Sequence, residues 1–197
     1  NITLDRVKVT TLPGTDRMLS TSADATHFVN CRGTVVLRNS EFSNQLDDAT
    51  NVHGIYLQVK DVLASDKIGV NVGHFQQLGF DFAEAGDNIA FINPDNSYDP
   101  VFTATLKRID KRNNRYFIVE FEEDLNLDQN LYYVIENMSA YPDLEITGCT
   151  IKNNRARGVL LSTPRKILVE NNYFSTMMSA ILIPTELGFW HESGSPK

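Results

Sequence analysis

Val35-Val36-Leu37-Arg38-Asn39-Ser40-Glu41-Phe42 decides the architecture, because its pattern returns along the chain. Ile2 to Val9 (ITLDRVKV), Leu144 to Ile151 (LEITGCTI) and Ile167 to Phe174 (ILVENNYF) superpose on it without gaps, with apolar residues at the first, third and eighth places. The alternation at the start reads as a strand with one buried face. The fifth place, Arg6, Asn39, Gly148 and Asn171, reads as a bend. Asn and Gly tolerate the left-handed backbone that such a bend needs, whereas Arg6 departs from that rule. A second matching segment follows three of the copies: Gly54 to Val59, Gly158 to Thr163 and Ala180 to Thr185. Strand, bend and strand recurring within the period of a stacked repeat predict short parallel strands wound into a coil.

The interval between the second and third copies is far longer than its neighbours, which predicts an insertion. Asn88 to Ile92, Val101 to Ile109, Tyr116 to Phe121 and Leu131 to Ile135 read as antiparallel strands, with Lys111-Arg112-Asn113-Asn114 as a hairpin loop. The expected fold is all-β: a right-handed parallel β-helix interrupted by a small antiparallel β-barrel. The expected divisions are residues 1–64 for the first rungs, 65–140 for the barrel and 141–197 for the second rungs.

Composition narrows the function. The 197 residues carry 18 Lys and Arg against 25 Asp and Glu, a net charge of -7, with no basic cluster. That argues against a nucleic-acid partner and favours hydrogen-bonding ligands. No apolar run approaches the roughly 18 residues that a membrane span needs, so membrane insertion is not expected. Cys31 and Cys149 lack zinc-ligand spacing and read as buried thiols. The chain opens at Asn1-Ile2-Thr3, already strand-like, and reads as a piece of a longer protein.

The chemistry concentrates before the second strand of the second copy. The alignment leaves a long loop there, Ser43 to His53, holding Asp47 and Asp48. Adjacent carboxylates repel. Asp24 lies about one repeat length earlier, so the coil returns it to a similar azimuth one layer over. Three carboxylates on one patch raise the affinity of at least one for its proton, and leave an acid beside ionised bases, as glycoside hydrolysis requires.

Three stretches carry a specific likeness: Ser22-Ala23-Asp24-Ala25-Thr26-His27-Phe28-Val29-Asn30-Cys31-Arg32-Gly33, Asp47-Asp48-Ala49-Thr50-Asn51-Val52-His53-Gly54 and Phe189-Trp190-His191-Glu192-Ser193-Gly194. Over essentially its whole length the chain resembles the α-1,3-galactosidases of glycoside hydrolase family 110. A broader likeness runs to the polygalacturonases, β-helices that carry one Asp followed a rung later by an Asp-Asp pair. The resemblance implies an exo-acting, inverting, metal-independent and cofactor-free bacterial enzyme, secreted, periplasmic or at the cell surface. Its implied substrates are galactose-terminated glycans of the blood-group B and linear α-galactosyl types. The implied catalytic trio is Asp24, Asp47 and Asp48, with Asp47 preferred as acid.

Candidate substrate-binding residues are His27, Thr50, Asn51, His53, Glu84, Trp190 and Glu192. Trp190, the single tryptophan, suits stacking under a pyranose. Arg155 and Arg157 lie one copy beyond the aspartate pair, where each could hold a carboxylate or a sugar hydroxyl, a solvated rim being the plainer reading. Two alternatives stand beside the hydrolase: a non-catalytic carbohydrate-binding β-helix of the adhesin or tailspike kind, and a calcium-dependent polysaccharide lyase. Bare rung edges also predict self-association.

Overall fold

A computed structural model describes residues 1–194. The first copy supplies β1 (Ile2–Asp5), β2 (Lys8–Val9) and β3 (Thr26–Val29), and the second β4 (Thr34–Arg38), β5 (Glu41–Ser43) and β6 (Thr50–Ile55). There follow β7 (Leu57–Ala64), β8 (Lys67–Val72), β9 (Asn88–Ile92), β10 (Pro100–Lys111), β11 (Tyr116–Phe121) and β12 (Val134–Asn137). The third copy gives β13 (Asp143–Thr147), β14 (Thr150–Lys152) and β15 (Val159–Leu161). The fourth gives β16 (Ile167–Glu170), β17 (Tyr173–Ser175) and β18 (Ile181–Leu182), before a last short strand, β19 (Glu192–Ser193).

One unit comprises 1–53 and 141–184 of the described residues and holds three parallel sheets. Their orders are β1-β4-β13-β16, β2-β5-β14-β17 and β3-β6-β15-β18, so each copy contributes one strand to each sheet. The register is that of the gapless alignment. Val35 pairs with Ile2 and Leu144, and Leu144 with Ile167; Phe42 pairs with Val9 and Ile151, and Ile151 with Phe174. Like residues therefore stack inward, and Val35, Leu37, Phe42, Ile146, Ile151, Val159 and Leu161 form the buried column.

The bends follow the fifth-place reading completely. Arg6, Asn39, Gly148 and Asn171 have φ of 55, 52, 62 and 55°. Arg6 adopts the left-handed conformation despite its side chain, because its N–H, like those of Asn39 and Gly148, must donate to the carbonyl one rung on. Cys149 is buried and Cys31 half-buried, and both are free thiols.

One alignment was wrong. Val159 pairs with Thr50 and with Ile181, so the partner of the Gly158 segment begins at Ala49 and not at Gly54. The loop before β6 is 44–49, matched by 153–158 before β15, and the long Ser43 to His53 loop does not exist. The long connection of this unit lies between β2 and β3, and the first copy has its own second strand, β3, pairing Thr26 with Thr50.

The other unit comprises 54–140 and 185–194. It is a closed antiparallel barrel in the order β10-β11-β8-β7-β12-β9, sealed by Leu57 opposite Ile135 in the β7–β12 pair. Inside, Phe91 stacks on Phe102 at 4.5 Å and packs against Phe121 at 5.3 Å. β9 and β11 coincide with the expected strands, β10 runs longer at both ends, and β12 is displaced toward Asn137. Residues 57–64, expected among the rungs, form β7, and β8 was unforeseen. Residues 185–194 also group here, with Glu192 pairing antiparallel to Ile55. Among the described residues no helix is long and apolar enough to cross a membrane.

Candidate active site

The corrected register explains how three separate segments form one column. Asp24, Asp48 and Arg157 each lie two residues before paired positions, Thr26, Thr50 and Val159. They are the same place in successive copies of the repeat. The backbone follows: the Ala25 N–H donates to the Asp48 carbonyl at 3.0 Å, and that of Ala49 to the Gly158 carbonyl at 3.0 Å.

Within this column each carboxylate accepts the backbone N–H of its equivalent on the next rung. Asp48 N–H donates to Asp24 Oδ1 at 3.0 Å, and Arg157 N–H to Asp48 Oδ1 at 2.9 Å. The Arg157 guanidinium adds Nε to Oδ1 and Nη2 to Oδ2, both at 2.8 Å. Asp48 is 1% exposed, so this forked pair supplies the hydrogen bonds and countercharge that a buried carboxylate demands.

Asp47 points differently. Its side chain is 42% exposed, and its Oδ1 lies 3.5 Å from Arg157 Nη2. Partial burial pushes its carboxyl above the ordinary aspartate value; repulsion from Asp48 and Asp24 adds to this, while Arg157 and Arg155 oppose it. Arg155 also fixes the loop: its Nε donates to the Leu46 carbonyl at 2.7 Å and its N–H to that of Gln45 at 3.1 Å. Buried Gln45 ties the same loop to Val9, Ser20 and Ser43. The three aspartates present oxygens within 4.8 Å of one another.

His27 Nδ1 stands 3.2 Å from Asp24 Oδ2, and its Nε2 meets His53 Nε2 at 2.7 Å. The two imidazoles are thereby coupled to the carboxylate column. Asn51 is buried in β6, in register with His27. Thr50 is fully buried and bonds to the Thr26 hydroxyl at 2.7 Å. Glu84, Trp190 and Glu192 belong to the barrel unit. There the half-exposed Trp190 ring packs on His74 and Phe189, the Trp190 backbone N–H donates to Glu186 Oε2, and Glu192 is buried.

Sequence reasoning undervalued Arg157. The signal was present, because aligning Ala49 with Gly158 would have placed Arg157 on the column of Asp24 and Asp48.

Residues 67–130, all within the barrel unit, match the family described as GLAA-B β-barrel domain II. α-1,3-Galactosidase A of Shewanella woodyi is 41% identical over 98% of the chain, and that of a Bacteroides fragilis strain is 36% identical over all of it. α-1,3-Galactosidase B of Akkermansia muciniphila is 38% identical over 92%. The chain is a homologue of the α-1,3-galactosidases. It spans about a third of the length of the first two relatives, 32% and 33%, and 23% of the Akkermansia protein. The galactosidase likeness thus extends over both units, and the aspartate column lies within the region it covers.

Proposed function

We propose that this chain carries the acid–base centre of an exo-acting α-1,3-galactosidase that inverts the anomeric centre. The observation that carries the reading is the unequal treatment of three carboxylates whose oxygens lie within 4.8 Å of one another. Asp48 has three donors on it and is almost fully buried, its Oδ2 carrying one of the three, whereas Asp47 is half-exposed with its carboxyl pushed up. Asp47 is the general acid: its proton passes to the glycosidic oxygen as the bond from that oxygen to C1 breaks. Water attacks C1 from the opposite face. Asp24 takes the water's proton, because each of its oxygens accepts one bond and keeps a second lone pair. Asp48 helps to hold the water, and the net change is hydrolysis.

Inversion rests on the family resemblance. The nearest carboxylate oxygens, within 4.8 Å of one another, are closer than the roughly 6.5–9.5 Å of an inverting pair, so the anomer released first is the deciding observation. His27, Thr50, Asn51 and His53 are proposed as galactose-binding residues of the parallel-sheet unit, His27 and His53 acting through Asp24, and Glu84, Trp190 and Glu192 are proposed separately as glycan-binding residues of the barrel unit. The forked Arg157 pair supports metal-independent chemistry, because a protein cation already neutralises Asp48. The proposal includes blood-group B and linear α-galactosyl substrates and a location outside the bacterial cytoplasm. It also reads the three parallel sheets as one right-handed β-helix, in line with the handedness of parallel crossovers, and expects self-association along the open rung edges.

Proton NMR of an α-1,3-galactosyl disaccharide, read early in turnover, tests the reaction. β-Galactose appearing first is the expected result. α-Galactose first would overturn inversion, and a new ultraviolet-absorbing double bond would point to a lyase. Binding without release, lost in Asp47→Asn, would favour a glycan-binding module.

A further inference from the structure

We infer that Arg157 is the positioning residue that divides labour between the adjacent aspartates, holding Asp48 as an acceptor and leaving the shared proton to Asp47. This rests on the hydrolase reading above and adds to it a residue outside the acid–base trio.

The argument starts from symmetry. Two neighbouring carboxylates with similar surroundings would share one proton between them, and neither would have a fixed role. Arg157 breaks that equivalence geometrically. Its fork faces Asp48, with both contacts at 2.8 Å, while Asp47 meets only Nη2, at 3.5 Å. Its backbone N–H adds a third bond to Asp48 that the side chain cannot rotate away from. The acidic groups facing the guanidinium are Asp48, Asp47 and Asp24. Arg155, the other cation acting on Asp47, spends its Nε on the Leu46 carbonyl. Arg155 lies two residues before the column position that Arg157 occupies.

The consequence is a pH signature. Arg157 lowers the proton affinity of Asp47, so its loss raises that affinity further. The acid must be protonated to work. The alkaline limb of kcat/KM therefore moves upward when the cation is removed, by about one pH unit or more. A residue that merely supported the loop would lower the rate without moving the limb.

The test compares the full chain with Arg157→Gln and Arg157→Lys, using carbon NMR titration of 13C-labelled aspartate carboxyls beside the pH profile of galactoside hydrolysis. In Arg157→Gln the upper titration of the pair and the alkaline limb are expected to rise together. Arg157→Lys keeps the charge without the fork, so its alkaline limb stays within a few tenths of a unit of the parent while kcat falls at least tenfold. An unmoved titration in a folded Arg157→Gln overturns the inference even if hydrolysis persists. Should Arg157→Gln not fold, a parent-like kcat in Arg157→Lys overturns it. A parent chain without hydrolase activity sinks the reaction proposed above, yet the titration still decides whether Arg157 splits the pair.

Discussion

Asp47 and Asp48 are neighbours in the chain placed in opposite environments, and the contrast has a thermodynamic consequence. A carboxyl whose affinity for its proton is raised on folding destabilises the native state once the pH passes its ordinary value, and contributes nothing once both states are protonated. For Asp47, Asp47→Asn is therefore expected to raise the melting temperature at pH 7, with the gain fading toward pH 3, as differential scanning calorimetry would record. The same variant should lose about 10²–10⁴-fold in kcat, the usual contribution of a general acid. Removing Asp48 has the opposite effect on stability, because Asp48→Asn leaves the half-buried Arg157 guanidinium without its forked partner.

At the scale of the element, the left-handed bend is the unit that makes a rung. Arg6 holds φ 55° where the equivalent residues are Asn or Gly, and a side chain in that region costs about 1–2 kcal/mol. Arg6→Asn should recover up to about 1 kcal/mol in urea unfolding. Asn39→Ala should cost a comparable amount or more, since Asn39 also donates to Asp5 at 3.2 Å. These bends were legible in the sequence because stacking repeats the same backbone problem and so selects the same residue types. Register along the first two sheets was legible for the same reason. The third sheet was harder to read. Thr50-Asn51-Val52-His53-Gly54-Ile55 is buried at every position, so it lacks the alternation that fixes a strand's phase, and Gly54 offered a false match to Gly158. That slip produced a long loop and took Arg157 off the column of Asp24 and Asp48. Leu57 to Ala64 was misread because its apolar residues serve a rung or a barrel strand equally well until the partner strand is known.

At the scale of the molecule, each unit has its own buried interior. Phe42 is wholly buried in one and Phe91 in the other. Truncation of either to alanine should cost about 3–5 kcal/mol, and calorimetry should show Phe42→Ala lowering one transition and Phe91→Ala the other. A single transition shifted equally by both would mean that the units unfold as one. The pairing of β7 with β12 bears on how such a chain can fold at all. Strands β4 and β13 lie side by side although the entire barrel separates them in sequence, and bringing distant strands together carries a loop-closure entropy that grows with the intervening length. Once the barrel seals, Leu57 stands opposite Ile135, and the chain that left β6 returns beside its own point of departure. An insertion that sealed first would act as a short tether, so the second set of parallel strands would meet the first as if the sequence between them had been deleted.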